Sequence, residues 1–186
     1  MHSVKTLIIG LCALIVFGHT IYSSDWFQKN FLYPFPYQTT VFRYAEKHNL
    51  DPYLVAGLIY TESKFKATAQ SPTGARGVMQ MMPKTADWVA DQLREDKFRF
   101  NDLDDPEVSI RFGTWYFASV KKEFANNEIL ALAAYNGGRG NVRQWMSQYG
   151  WKSDFTMIEQ IPFNETREYV IRVLANKKRY QELYGR

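Results

Sequence analysis

The stretch DPYLVAGLIYTESKF, residues 51–65, carries the clearest helical pattern in the chain. Its opening Asp51-Pro52 pair is typical of a helix start, because aspartate caps free backbone N–H groups and proline fits the first helical position. Apolar residues then recur at the spacing of one buried helix face: Leu54, Val55, Leu58, Ile59 and Phe65. Glu62 falls on the same face. The pattern therefore predicts a helix with one carboxylate on its apolar side.

The position of Glu62 has two interpretations. An ionised carboxylate among apolar groups costs on the order of several kcal/mol unless it is paired or protonated. A carboxylate that is kept there can therefore serve as an acid. Alternatively, the helix ends near Glu62 and its side chain turns toward solvent. The apolar periodicity alone does not decide between these two interpretations.

Capping residues, prolines and apolar periodicity predict helices through most of the remaining chain. The predicted helices are residues 39–48, 83–94, one opening at Asp105-Pro106, 128–135, 141–147 and a long last helix after the capping candidate Asn164. Alternating strand patterns are nearly absent, apart from Arg76–Met79, which could form a small β-hairpin arm. The sequence therefore predicts an all-α domain whose helices cross at varied angles.

The composition limits the kinds of partner. The chain has 186 residues, enough for one domain with a short extension. Its formal charge of +4 is small and no run of five Lys or Arg appears, which argues against a nucleic-acid partner. The single cysteine, Cys12, excludes an intramolecular disulfide, and His2, His19 and His48 lack the spacing of metal ligands. We therefore predict no metal, no cofactor and no nucleic acid.

The first 22 residues carry a targeting signal. Lys5 precedes the apolar run Leu7–Phe17, which is the pattern of a signal peptide, but no clear cleavage site follows. The alternatives are an uncleaved membrane anchor, short against the roughly 20 apolar residues of a full span, and a buried core helix. We favour the uncleaved anchor, with an irregular tether over residues 23–37 and one exported domain over residues 38–186.

Three segments carry unusual residues in a fixed order. They are YTES at 60–63 followed by SPTGARGVMQMMP at 71–83, AAYNGG at 133–138, and IPFNETREYV at 161–170. Together they resemble the soluble lytic transglycosylase family, bacterial enzymes with a lysozyme-like fold that cut peptidoglycan. The resemblance runs from about Tyr37 to Tyr184. It implies a lysozyme-like α domain, an enzymatic activity and the glycan strands of peptidoglycan as the substrate.

The resemblance also implies roles for individual residues. Glu62 holds the place of the sole catalytic acid and base. Seven further residues hold the places of groups at or near the substrate: Ser71, Gln80, Met82, Tyr135, Asn136, Glu165 and Tyr169. Among them, Tyr135 is expected beside the catalytic carboxyl, where its hydroxyl could orient it. The chain departs from the family at Val78, where leucine is usual, and at residues 137–140, and neither departure removes a functional group.

Most of these residues also have a purely structural interpretation. Tyr135, Tyr169 and Met82 could be ordinary core residues, and Gln80 could satisfy backbone groups at a helix entry. Ser71 could cap its own loop, and Glu165 would suit the positive end of a helix dipole without any ligand. The sequence leaves these alternatives open.

A glycosidase usually needs two carboxylates at a set separation. No convincing partner for Glu62 appears in the sequence, since Asp87 and Asp91 lie at polar helix positions and Asp102, Asp104 and Asp105 lie where turn and cap residues belong. Within the resembled family, one glutamate suffices, because the muramyl residue supplies its own nucleophile and ends as a 1,6-anhydro sugar. A lysozyme-type hydrolase on the same fold and a non-catalytic peptidoglycan-binding module remain the alternatives.

Overall fold

The computed structural model describes residues 2–185. Its nine α-helices in this range are α1 (His2–Ser23), α2 (Asp25–Phe27), α3 (Gln38–Lys47), α4 (Pro52–Ser63), α5 (Pro83–Leu93), α6 (Pro106–Glu123), α7 (Glu128–Gly137), α8 (Arg139–Tyr149) and α9 (Asn164–Tyr184). A π-helical turn, Gln28–Leu32, follows α2, and 3-10 turns occupy Phe100–Asp104 and Ile158–Gln160. The prediction of an all-α domain is confirmed.

The predicted β-hairpin arm is reduced to two isolated bridges. Arg76 pairs in antiparallel fashion with Gln70 on one side and with Met81 on the other. Within residues 2–185 no longer strand forms. The bridges fold the segment between α4 and α5 back on itself, so they shape a compact loop rather than an arm.

The helix starts largely follow the sequence signals. The side chains of Asp51 and Asp105 accept hydrogen bonds from the backbone N–H groups of Tyr53 and Glu107, and each is followed by proline. The prediction that Asn164 caps the last helix is wrong. Asn164 already lies in α9, and its side-chain oxygen accepts a hydrogen bond from the guanidinium of Arg167 at 2.6 Å instead.

Helix α4 lies at the centre of the larger hydrophobic cluster, where it packs chiefly against α9. Leu54, Leu58 and Ile59 of α4 are fully buried. Gly57 permits the close crossing, because a Cβ there would lie 2.6 Å from the backbone nitrogen of Lys177 in α9. The crossing brings the end of α4 against the first half of α9.

A smaller cluster lies between α5, α6 and the first 3-10 turn. Its buried members are Met81, Ala86, Val89, Ala90, Leu103 and Phe112. Tyr116 of α6 packs against both clusters and so joins them. The loop of residues 64–82 connects the larger cluster to the smaller one.

The N-terminal segment differs from two expectations. The apolar side chains between Leu7 and Phe17 are exposed to solvent. This excludes the alternative that the N-terminal helix is buried in the core. Within the described residues no single helix has the length and apolar content of a membrane span, whereas Leu7–Ser23 and Asp25–Leu32 reach them together across a bend of 55°. Within the predicted irregular tether, residues 25–32 are helical, and Ser24 caps α2 by accepting a hydrogen bond from the N–H of Phe27. Residues 33–37 are irregular.

Candidate active site

Glu62 lies in the last turn of α4, on the side that faces α9. The helix ends at Ser63, and Lys64 adopts a left-handed conformation with φ of 51°. The two interpretations of Glu62 are thus both partly right, since the residue lies on the apolar face and also at the helix end. The negative end of the helix dipole adds to the cost of ionising a carboxyl at this position.

The Glu62 carboxyl has a strongly shifted pKa. Burial raises the pKa from 4.5 to about 7, against the opposing effects of a hydrogen bond from Tyr169 and the positive charge of Arg172. A burial effect that exceeds both is the behaviour of a carboxyl in a largely apolar pocket. Protonated and ionised Glu62 are therefore both well populated near neutral pH, as acid–base catalysis requires.

Tyr169 supplies the hydrogen bond to Glu62. Its ring is buried in α9, and its hydroxyl donates to Oε1 of Glu62 at 2.6 Å. Burial and the nearby Glu62 charge raise the pKa of Tyr169 well above its ordinary value, so the phenol remains a proton donor. The two residues lie 107 positions apart in the chain, and the α4–α9 crossing brings them together.

Tyr135 has a different task from the one expected. Its hydroxyl donates to the backbone carbonyl of Met79 at 2.7 Å, so the hydroxyl that orients Glu62 belongs to Tyr169. Met79 is fully buried, and a buried carbonyl needs a donor. Burial and the charge of Glu62 raise the pKa of the Tyr135 phenol, so the ring is within electrostatic reach of the carboxyl. It thus fixes the loop beside the carboxyl.

The loop of residues 64–82 is held by several further hydrogen bonds. Ser63 Oγ donates to the carbonyl of Val78 at 2.8 Å, which joins the end of α4 to the loop. Gln80, at φ of 46°, donates from Nε2 to the carbonyls of Ala69 and Gly77. Arg76 forms an ion pair with Asp104, with Nε at 2.8 Å from Oδ1. These bonds hold the second half of the loop to the end of α4, to the carbonyl of Ala69 and to the first 3-10 turn.

A cavity of about 460 Å³ opens beside Glu62. It is lined by Thr61, Glu62, Ser63, Lys64, Lys66, Ala69, Gln70, Ser71 and Gln80. Glu62 is the only carboxylate in this lining. Ser71 also caps its own loop, since its Oγ accepts from the N–H of Ala75 at 2.9 Å and bonds to the Thr73 hydroxyl. The structural interpretation and a position at the cavity therefore both apply to Ser71.

A second cavity, of about 520 Å³, contains two other predicted residues. Asn136 and Glu165 line it together with Gly137, Pro162, Phe163, Asn164 and Thr166. Glu165 is exposed in the first turn of α9 and precedes Tyr169 by one helical turn. Met82 is 43% exposed before α5 and lines neither cavity. The predicted set thus divides between a group around Glu62, a neighbouring cavity, and Met82 on the surface.

The aspartates considered as partners for Glu62 lie elsewhere. Asp87 and Asp91 are outside the lining of both cavities. Asp102 accepts from the N–H of Arg99, Asp104 pairs with Arg76, and Asp105 caps α6. Among the described residues, no group of three or more His, Cys, Asp or Glu side chains is placed to hold a metal ion.

Three charged residues at the site were missed by sequence reasoning. Lys64 and Lys66 line the cavity with Glu62, and Arg172 acts on the Glu62 pKa from α9. A signal existed for each of them. The two lysines lie two and four positions after Glu62 in the sequence, and Arg172 lies three positions after Tyr169, which places it on a neighbouring side of the same helix.

Comparisons with known proteins agree with this architecture. A family model described as the transglycosylase SLT domain matches residues 39–158, and one described as the soluble lytic transglycosylase helical domain matches residues 160–186. The soluble lytic murein transglycosylase of Salmonella typhimurium is 34% identical over 168 residues, which are 89% of this chain and 26% of that protein. The membrane-bound lytic murein transglycosylase F of Desulfosudis oleivorans is 33% identical, over 67% of this chain and 28% of its own length.

Two solved structures share the fold. The lytic transglycosylase Slt of Pseudomonas aeruginosa, determined as an inactive Glu→Gln variant, superposes with a TM-score of 0.74 and 34% identity, over 83% of this chain and 25% of that one. The 70-kDa soluble lytic transglycosylase of Escherichia coli superposes with a TM-score of 0.76 and 34% identity, over 82% of this chain and 25% of that one. This chain spans about a quarter of the length of these relatives. Since the first family model covers well over half of it, the chain belongs to the transglycosylase SLT domain family.

Proposed function

We propose that this chain is a peptidoglycan lytic transglycosylase. It cleaves the β-1,4 bond between N-acetylmuramic acid and N-acetylglucosamine and leaves a 1,6-anhydromuramyl end. One observation carries the proposal: a partly buried glutamate, with its pKa raised to about 7, is the only carboxylate in the lining of its cavity. This is the acid–base group that a reaction without a second carboxylate needs.

In the first step, Glu62 acts as the acid. Protonated Glu62 gives its proton to the glycosidic oxygen, and the bond from that oxygen to C1 of the muramyl residue breaks. The carbonyl oxygen of the muramyl N-acetyl group stabilises the positive charge that develops at C1. Tyr169 donates to Oε1 of Glu62, so Oε2 is the oxygen that carries the transferred proton.

In the second step, Glu62 acts as the base. The ionised carboxylate takes the proton from the C6 hydroxyl of the same muramyl residue, and the C6 oxygen bonds to C1. The product is a 1,6-anhydro ring, Glu62 is protonated again, and no water is consumed. The raised pKa suits both steps, because it keeps a large share of the carboxyl protonated near neutral pH and makes the carboxylate a stronger base.

The remaining site residues position the reaction. Tyr169 holds Glu62, and Tyr135 holds the loop that carries Gln80 through its bond to Met79. Ser71 and Gln80 contact the glycan on the Glu62 side, and Asn136 and Glu165 contact it in the second cavity. Met82 lies apart from both cavities, so we assign it a contact with a more distant sugar.

The substrate also implies a location outside the cytoplasm. Relatives include proteins named as membrane-bound lytic murein transglycosylases, and the N-terminal helix of this chain exposes its apolar side chains. We propose that α1 remains as a membrane anchor and that the domain lies on the extracytoplasmic side.

Digestion of purified sacculi tests the reaction. The protein is incubated with sacculi in water enriched in oxygen-18, and the released fragments are analysed by mass spectrometry. A lytic transglycosylase yields muramyl ends that are lighter than reducing ends by one water and carry no oxygen-18. Reducing ends labelled with oxygen-18 would identify a lysozyme-type hydrolase instead. Binding to sacculi without any fragments would identify a non-catalytic module.

A further inference from the structure

A cluster of aromatic rings is exposed around the bend after α1, with one ring at the end of α1, one in α2 and one in the π-helical turn. Trp26, Phe31 and Tyr22 are 65%, 61% and 54% exposed. The Trp26 and Phe31 rings lie 5.7 Å apart, and the rings of Phe27 and Phe31 lie 4.9 Å apart. Contiguous exposed apolar groups of this kind mark a surface that another phase or molecule covers.

The π-helical turn places Trp26 and Phe31 on one side. The N–H of Tyr33 donates to the carbonyl of Gln28 at 2.7 Å, so residues five positions apart share a side. Trp26 and Phe31 stand in this relation. Gln28 lies on the other side, where it is buried. The turn therefore has an exposed aromatic side and an opposite side that packs on the protein.

Hydrogen bonds lock the bend between α1 and α2. The buried amide of Gln28 donates from Nε2 to the carbonyl of Tyr22 at 2.7 Å, across the bend. Ser24, at the bend itself, donates from Oγ to the carbonyl of Ile21 at 2.6 Å and accepts from the N–H of Phe27. We call residues 22–32 the elbow. The 55° bend of the elbow is stabilised by these hydrogen bonds, which join residues before the bend to residues after it.

The elbow and the residues after it are also fixed to the domain. Three tyrosine hydroxyls donate to consecutive backbone carbonyls. These bonds are Tyr60 to Leu32 at 2.7 Å, Tyr184 to Tyr33 at 2.8 Å and Tyr180 to Pro34 at 2.9 Å. Phe35 follows directly and lies in the core. A flexible tether would leave these carbonyls to water, so the segment behaves as part of the domain.

We propose that the elbow is a membrane-surface element, with Trp26 and Phe31 seated in the lipid–water interface of a phospholipid bilayer. The occupant follows from continuity, because the elbow extends the helix whose apolar side chains Leu7, Leu14 and Phe17 are 75%, 69% and 63% exposed. Tryptophan and tyrosine prefer the headgroup level, where an apolar ring meets water. The elbow thus holds the domain, and with it the Glu62 cavity, at a set height and orientation above the bilayer.

The depth of Trp26 tests the seating of the elbow. The full chain is placed in phosphatidylglycerol–phosphatidylcholine nanodiscs whose lipids carry bromine either near the headgroup or near the acyl terminus. Tryptophan quenching is compared among the unchanged protein, Trp26→Phe and Trp88→Phe. Trp88 is a matched control, because it is 37% exposed on the domain. We expect headgroup-level bromine to remove the same absolute intensity from the unchanged protein and from Trp88→Phe, and clearly less from Trp26→Phe.

Three outcomes overturn the seating. Equal quenching of the unchanged protein and Trp26→Phe places Trp26 in water. Strongest quenching of Trp26 by acyl-terminal bromine places the elbow in the hydrocarbon core. A Trp26 emission that is shifted to the blue but not quenched shows that protein, such as a second copy of this chain, covers the cluster.

The set orientation has its own measurement. Spin labels are attached to Cys12, which is exposed in α1, and to Ser147→Cys on the exposed side of α8, and the distance distribution between them is recorded in nanodiscs. We expect a narrow distribution that broadens with Gln28→Ala, because that substitution removes the bond across the bend. Equal widths with and without Gln28 overturn the locked elbow.

Discussion

The end of α4 and the start of α6 each hold a glutamate under a tyrosine hydroxyl, yet the two carboxyls are shifted in opposite directions. Tyr169 donates to Glu62 at 2.6 Å, and Tyr44 donates to Glu107 at 2.7 Å. Burial raises the pKa of Glu62 to about 7, whereas the hydrogen bond from Tyr44 leads the effects that lower the pKa of Glu107. The same contact therefore does not make an acid.

The surroundings of the two carboxyls explain the difference. Glu107 also accepts from Thr40 and from both terminal nitrogens of Arg43, at 3.0 and 3.2 Å for the latter, and its side chain is 39% exposed. At Glu62 the positive charge of Arg172 and the hydrogen bond from Tyr169 lower the pKa, and burial outweighs both. A hydrogen bond favours the anion at both places, and the degree of burial decides the result.

Replacing each glutamate by glutamine separates the two by function. We expect Glu62→Gln to lower the rate of glycan cleavage by roughly 10²- to 10⁴-fold, because an amide N–H is too weak an acid to protonate the glycosidic oxygen. We expect Glu107→Gln to leave the rate unchanged and to affect stability alone. Fragment release from sacculi measures both variants, with far-UV circular dichroism to show that each is folded. Cleavage that survives in Glu62→Gln contradicts the assignment of the acid.

The second prediction separates the two glutamates by their effect on stability. The folded-state pKa of Glu62 lies above its unfolded value of 4.5, so its contribution is fully present below 4.5 and is lost as the pH rises through about 7. The loss amounts to about 3 kcal/mol of unfolding free energy. Glu107 has the opposite sign, because its lowered pKa gives stability that is lost as the pH falls through the folded-state value.

Urea unfolding of the unchanged protein and of Glu62→Gln between about pH 4 and about pH 8 measures this term. The glutamine variant should gain on the unchanged protein by about 3 kcal/mol across that range. A difference between the two proteins that does not vary with pH would show that Glu62 is solvated in the folded state.

A substitution at the α4–α9 crossing should break the Tyr169–Glu62 hydrogen bond and leave the Tyr44–Glu107 hydrogen bond intact. Gly57→Ala should cost about 2 kcal/mol, because its Cβ would lie 2.6 Å from the backbone nitrogen and 2.8 Å from the backbone oxygen of α9 residues. Pushing α9 away from α4 separates Tyr169 from Glu62, so activity should fall as well. Gly140→Ala is the matched control, since its Cβ would meet nothing within 4 Å, and it should be neutral or stabilising. Equal melting temperatures for the two variants would refute the close crossing.

The comparison also shows what a sequence can reveal. The apolar spacing of 51–65 and the Asp51-Pro52 pair are local signals, so they predict the helix and the unusual place of Glu62. The partner of Glu62 is not local. Tyr135 and Tyr169 both follow family motifs, and only the crossing angle of α4 and α9 decides which hydroxyl reaches the carboxyl and which reaches Met79.

The elbow was missed for a related reason. The elbow is fixed to the domain through backbone carbonyls at its end and just after it, at residues 32–34. Backbone acceptors have no sequence signature. The donors are tyrosines of α4 and α9, and the sequence pattern of these helices is equally consistent with tyrosines that only pack in the core. Aromatics and the prolines Pro34 and Pro36 indicated an irregular segment. Residues 33–37 are irregular, whereas residues 25–32 are helical and Ser24 caps α2.

Removing the tyrosine hydroxyl from each Tyr–Glu pair should have the smallest effect, but it tests the two hydrogen bonds directly. Tyr169→Phe and Tyr44→Phe each remove one hydroxyl from one glutamate, and each should cost about 1 kcal/mol of stability. Since the Tyr169 hydrogen bond lowers the Glu62 pKa, its loss lets burial raise that pKa further. Cleavage needs protonated Glu62 at the start, so the rate falls above the Glu62 pKa, and this fall should move to higher pH in Tyr169→Phe.

Tyr44→Phe should shift the Glu107 pKa toward its ordinary value and leave the pH–rate profile in place. The two profiles, recorded with sacculi over the same buffers, separate a positioning role for Tyr169 from a merely structural one. A structural role lowers the rate at every pH by one factor and leaves the position of the fall unchanged. A shift in Tyr169→Phe alone ties the hydroxyl to the proton of Glu62, because the control loses the same group from an equally short bond and keeps the profile.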